Sequence, residues 1–91
     1  MALAHSALAA SDSWTPVALI HGYYNFSVYG TFGGTITLQR SYDKGTTWLD
    51  VDTTSVPVEA VLYGPETLMY RAGFKAGAYS SGTAYVRVRG E

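Results

Sequence analysis

The stretch Ser41-Tyr42-Asp43-Lys44-Gly45-Thr46-Thr47-Trp48 lies between two runs in which apolar and polar residues alternate: Ile36 and Leu38 before it, Leu49 and Val51 after it. Alternation with a period of two marks strands with one buried face, so the stretch between them is read as a hairpin turn. The short carboxylate of Asp43 suits the backbone N–H groups that a tight reversal leaves unpaired, and Gly45 admits the positive φ that such a reversal needs. Trp48 follows as a large apolar lid across the hairpin.

The rest of the chain reads as further strands and turns. Residues 15–20 are β-rich, and Pro16 among them suits an edge or a strand start. Phe26 and Val28 share one face of the next strand, with a turn at residues 30–34. After a loop at 53–57, an irregular apolar strand over 58–63 is expected to end at Gly64-Pro65-Glu66, a strong turn signal. Leu68, Tyr70, Ala72 and Phe74 then alternate with more polar neighbours. Past a turn at 77–82, Ala84, Val86 and Val88 point inward and Tyr85, Arg87 and Arg89 outward. Six or seven short strands at 8–12-residue spacing predict an all-β fold over residues 14–91, an antiparallel β-sandwich or small jelly roll. Residues 1–13 are rich in Ala and Ser and read as an extended N-terminal arm. It is either a disordered tail or a segment that orders against a neighbouring subunit, where Leu3 and Leu8 would pack.

A chain of 91 residues forms one domain with a thin core, burying only about 60–65% of its unfolded surface. A net charge of −1 offers nothing for phosphates to hold, which argues against nucleic acid. With no cysteine there is neither a disulfide framework nor a thiolate metal site. No apolar run approaches the ~18 residues of a membrane span, and the N-terminus lacks the basic start and apolar centre of a secretory signal.

Catalytic and metal chemistry is not signalled. Asp50 and Asp52, two apart on a strand, read as a solvated face pairing in part with Arg87 or Arg89. A hard cation needs six to eight converging oxygens, and a glycosidase needs a carboxylate made acidic by burial. His5 and His21 are isolated, with no third ligand and no nucleophile to serve. The expectation is therefore a non-enzyme with no metal or cofactor. The eight tyrosines are more informative, because so small an interior cannot hold them all. Surface tyrosine gives rigid, amphipathic contact area, the composition of protein- and sugar-binding faces. The candidate interface residues are Leu3, Leu8, Tyr23, Tyr24 and Tyr29.

Ser41, Asp43, Gly45 and Trp48 together resemble the Asp-box, a hairpin motif of sialidase-like propellers and of other extracellular and viral β-modules. The box usually sits away from the chemistry, and a propeller needs at least about four blades, so the resemblance implies a hairpin and not a glycosidase. More broadly, residues 25–51, from Asn25-Phe26-Ser27-Val28 through Gly34-Thr35-Ile36 to Trp48, with Leu68, Tyr70 and Arg71 and the run Ser81-Gly82-Thr83-Ala84, are similar to small β-sandwich virion proteins of tailed bacteriophages. That resemblance implies a capsid decoration, or cement, protein made in the host cytoplasm and bound to the capsid exterior. Its partner would be the major capsid protein, and it would assemble as a homo-oligomer, a trimer being favoured. The alternative it leaves open is a tail- or fibre-associated module that binds a glycan or a host-surface protein.

Overall fold

The computed structural model describes residues 3–90, apart from the side chain of Pro65. The first two residues of the expected arm and the last residue of the expected domain lie outside the described residues. The chain is all-β and antiparallel, with seven strands among the described residues: β1 (Leu3–Leu8), β2 (Ser13–Trp14), β3 (Ala18–Tyr29), β4 (Phe32–Ser41), β5 (Leu49–Thr54), β6 (Val58–Gly82) and β7 (Ala84–Gly90). Hydrogen bonding runs in the order β1-β7-β3-β6-β4-β5, and β2 also pairs with β6.

Two facing layers arise because β6 is long enough to belong to both. It pairs with β3 from Val58 opposite Val28 to Gly64 opposite Gly22 and, past a bulge, from Leu68 opposite Ile20 to Tyr70 opposite Ala18, while from Met69 opposite Ser41 to Gly82 opposite Phe32 it pairs with β4. One layer is β1, β7, β3 from Gly22 onward and the start of β6; Ala18–Ile20 of β3 continue with β6 into the other. The other is β2, the rest of β6, β4 and β5. Strands that change sheets do so at bulges or bends, and here a bulge between Ile20 and Gly22 adjoins the facing pair Gly22 and Gly64. Gly22 takes a φ of 95°. A Cβ at Gly64 would lie 2.6 Å from the Tyr70 hydroxyl, so that glycine is there for packing.

The expected turn at Gly64-Pro65-Glu66 is thus absent, and the strand runs through it. The same holds for the expected turn at 77–82, where Tyr79, Ser81 and Gly82 pair with β4, and for residues 32–34, which are their partners. Only Gly30 and Thr31 separate β3 from β4.

Side chains from both layers form a single core. Phe26, Val28, Val86 and Val88 come from the first layer, and Ile36, Leu38, Tyr70 and Phe74 from the second. Tyr24 and Tyr70 meet across it with ring centroids 4.7 Å apart.

The N-terminal segment is extended, as expected, but it is not a free arm. Residues 3–8 form edge strand β1, paired with β7 from Leu3 opposite Arg89 to Leu8 opposite Ala84. Ala4 is 1% exposed and Leu8 4% exposed, both within the core of their own chain. The reason is geometric: β7 would otherwise leave the inner faces of Ala84 and Val88 open at the layer's edge.

Candidate protein-interaction face

The hairpin between β4 and β5 forms as its sequence predicts. The Asp43 carboxylate accepts a hydrogen bond from the Thr47 N–H at 2.7 Å and one from the Ser41 hydroxyl at 2.8 Å. Gly45 has a φ of 94°, and Lys44 before it is also left-handed at 59°. Ser41 does more than its place in the motif suggests, since its buried hydroxyl accepts from the N–H groups of Gly45 at 2.7 Å and Asp43 at 3.3 Å. Ser41→Ala strands those donors and should cost about 1–3 kcal/mol in chemical denaturation.

The Thr47 N–H, followed by the Ser41 hydroxyl, holds the Asp43 carboxyl below its usual range. A depressed folded pKa contributes stability that is complete above the unfolded value of about 3.9 and is lost as pH falls through the folded value. Thermal midpoints should therefore decline below about pH 4, less steeply in Asp43→Asn, which keeps an acceptor but not the charge. Identical acid profiles for the two proteins would remove this account.

Trp48 does not simply cover the hairpin. Its ring lies 4.4 Å from the Arg71 guanidinium carbon, and the Trp14 ring stands 4.1 Å from the same carbon, so Arg71 is held between the chain's two tryptophans. Arg71 donates to Gln39 at 3.1 Å, Gln39 to Asp50 at 2.9 Å, and Lys75 pairs with Asp50 at 2.5 Å. The Trp14 indole N–H donates to Asp12 at 3.1 Å. Burial lowers the Arg71 pKa while the Asp12 charge raises it. Asp50 thus pairs with Lys75 and not with Arg87 or Arg89, which lie on β7 in the other layer. A bulge between Leu38 and Gln39 places Asp52 opposite Leu38 and Asp50 opposite Gln39. This cluster fastens β2, the hairpin and β6 together across the outer face of the second layer. Its rings are turned toward the guanidinium, and its ion pair is half-exposed and correspondingly weak.

The outer face of the first layer is different. Of the eleven exposed large hydrophobic residues among those described, six fall on it: Leu3, Tyr23, Tyr29, Val61, Tyr63 and Tyr85. Register explains the grouping, because Tyr23 faces Tyr63, Tyr29 faces Tyr85, and Asn25 stands between Val61 and Arg89. The Tyr23 and Tyr63 rings meet at 4.8 Å and the Tyr29 and Tyr85 rings stack at 5.2 Å. Between them Tyr23, Asn25, Glu59, Val61, Arg87 and Arg89 line an open depression of about 530 Å³.

Of the residues that the sequence marks for an interface, Leu3, Tyr23 and Tyr29 lie on this face. Leu8 and Tyr24 do not; both are in the core, Tyr24 only 2% exposed, and its burial, with Tyr70 beside it, raises its pKa. Tyr24 has the opposite strand parity to Tyr23, and that parity sends it inward. Val61, Tyr63 and Tyr85 were not singled out by the sequence. Their outward alternation was the available signal, but only pairing through β3 shows that they are neighbours. Among the described residues no three His, Asp or Glu side chains come close enough to hold a metal ion. No protein-family model, curated protein or solved structure matches the chain.

Proposed function

We propose that this protein is a non-enzymatic structural component that docks on a larger protein assembly through the outer face of its β1-β7-β3-β6 layer, as a capsid decoration protein does. The observation that carries this reading is the concentration of exposed aromatic and aliphatic side chains there, in paired rows with polar groups between them. Exposed apolar side chains gathered on one face of a small domain, with polar groups among them, suit an interaction site. The paired tyrosines add rigid area with little rotamer freedom to lose on docking.

The size of the face bears on how many copies dock. Four strands about 4.8 Å apart, each giving about 20 Å of length, project about 400 Å². A stable interface uses about 800 Å² per partner, so a single copy is a weak binder. A homo-oligomer, a trimer by preference, would gain through multivalency what one face lacks. The proposed partner is the major capsid protein, bound on the outside of the particle.

The test is co-sedimentation with virus particles assembled without the protein. Wild type should pellet with them, and Tyr63→Ser with Val61→Glu should weaken binding about tenfold or more while leaving a folded protein with a cooperative thermal transition, since both side chains are exposed. Equal occupancy by wild type and the double variant would overturn the reading.

A further inference from the structure

The edge of the contact layer is as informative as its face. β1 is bonded to β7 on one side, and among the described residues no strand is bonded to its other side. A strand in that position presents a row of unpaired N–H and C=O groups, and proteins normally guard such rows with charge, proline or a bulge. β5 and the start of β6 also have an open side, and both are guarded in this way. β5 carries Asp50 and Asp52, with Val51 bulged between them, and the start of β6 carries Glu59, with Pro57 at its entry. β1 has none of these devices. Its sequence holds no Asp, Glu, Lys, Arg, Pro or Gly, and its ladder to β7 runs without a break from Leu3 to Leu8. Leu3, His5 and Ala7 are exposed on the contact face, while Ala4 and Leu8 point into the core.

We propose that β1 pairs with β1 of a second copy of this chain, antiparallel and about a two-fold axis, so that the two contact layers become one continuous sheet. The proposal rests on the docking role of that sheet's outer face and specifies the unit that docks. Strand parity fixes the register, because residues opposite one another in an antiparallel pair point to the same side. For both cores to lie beneath the joined sheet and both contact faces above it, Ala4, Ser6 and Leu8 must meet one another, and so must Leu3, His5 and Ala7. The axis therefore passes through Ser6, which sets Ala4 against Leu8 of the second copy, or through His5, which sets Leu3 against Ala7. Neither register opposes two charged residues, since β1 has no Asp, Glu, Lys or Arg. Self-pairing through β5 or the start of β6 would instead bring like carboxylates together. The area of the face supports the same count. One face projects about 400 Å² and a stable interface uses about 800 Å² per partner, which two copies side by side supply. A contact of this symmetry closes after two copies, so a pair takes the place of the trimer that the resemblance favours. The seam is one strand long, about 20 Å, so the pair is weak in dilute solution and is held more firmly once both copies rest on one surface.

The experiment is sedimentation equilibrium of the full chain, without particles, from about 1 μM to 1 mM, a range suited to a seam this short. Wild type should pass from monomer to dimer as concentration rises. His5→Lys with Ala7→Lys sets lysine against lysine in either register and should weaken dimerisation about tenfold or more. Both side chains are exposed, so the variant should keep the wild-type circular dichroism. His5→Glu with Ala7→Glu should weaken dimerisation likewise, and an equimolar mixture of the lysine and glutamate variants should dimerise again. Higher concentration of wild type should also slow amide exchange at alternate positions of β1, a readout that needs no substitution. The proposal is overturned if wild type stays monomeric or forms trimers, if the two lysines leave dimerisation unchanged, if the mixture stays monomeric, or if exchange in β1 does not depend on concentration. A monomer that still pellets with particles, and loses that binding with Tyr63→Ser and Val61→Glu, would remove the pairing and leave the docking role standing.

Discussion

Deleting residues 1–8 is expected to unfold most of the protein near ambient temperature, rather than to release a trimmed and folded domain. The segment includes β1, and its removal uncovers the core beneath Ala4 and Leu8 and opens the edge of β7 from Ala84 to Arg89. Leu8→Ala alone should cost about 2–4 kcal/mol, the range for a buried leucine. In a domain of this size each kcal/mol moves the midpoint by about 4–8 °C, so the single substitution should lower it by about 10 °C or more. The deletion should go further and aggregate, because an uncovered edge strand invites pairing with other chains. Differential scanning calorimetry of wild type, Leu8→Ala and the truncation measures all three. Equal midpoints for wild type and the truncation would show that β1 contributes nothing to the fold.

Gly73→Val is expected to detach strand β2 from β6. A Cβ at this position would stand 2.7 Å from the Trp14 Cα and collide with the Ser13 carbonyl oxygen, both backbone atoms of β2 that cannot step aside. The strand must therefore leave β6. With it go the bond from the Thr15 N–H to the Ala72 carbonyl at 2.8 Å and the one from the Ala72 N–H to the buried Thr15 hydroxyl at 3.1 Å. Arg71 also loses one of its two tryptophans. Overpacking together with stranded donors makes about 3–5 kcal/mol a reasonable expectation. Indole emission should shift to the red as Trp14 separates from Arg71. Gly77→Ala is the comparison: its Cβ meets nothing within 4 Å, and only its φ of 80° opposes the change, so it should cost about 1 kcal/mol. Similar losses in the two variants would show that β2 relieves the collision at Gly73 at little cost.

The difference between these two glycines shows what can be read from the chain before its fold is seen. The hairpin at 41–48 was legible because every interaction that shapes it spans at most four residues, and the residue types carry their own geometry. The inward and outward sides of β7 were legible for the same reason, through simple alternation. Gly64, Gly73 and residues 3–8 were not. Gly64 and Gly73 are small because Tyr70 and β2 approach them, and nothing nearby in sequence records that approach. A glycine followed by proline therefore reads as a turn even where the strand continues. Leu8 reads as a tether because its burial depends on β7, more than seventy residues away. The Trp14, Arg71 and Trp48 cluster is likewise a product of pairing across the sheet. Single aromatic residues were visible, but the face they build together was not.

Strand β6 gives the molecule a mechanical property. Its backbone is bonded to β3 from Val58 to Tyr70 and to β4 from Met69 to Gly82, so neither layer can be peeled off without drawing the other with it. A pull on a docked first layer loads rows of hydrogen bonds along β3 and β6 in shear, many at once, and passes the tension through the Gly22 and Gly64 corner into the second layer. A small domain fastened by one face to a swelling or pressurised surface would then yield as a whole or hold as a whole, with no half-open state between.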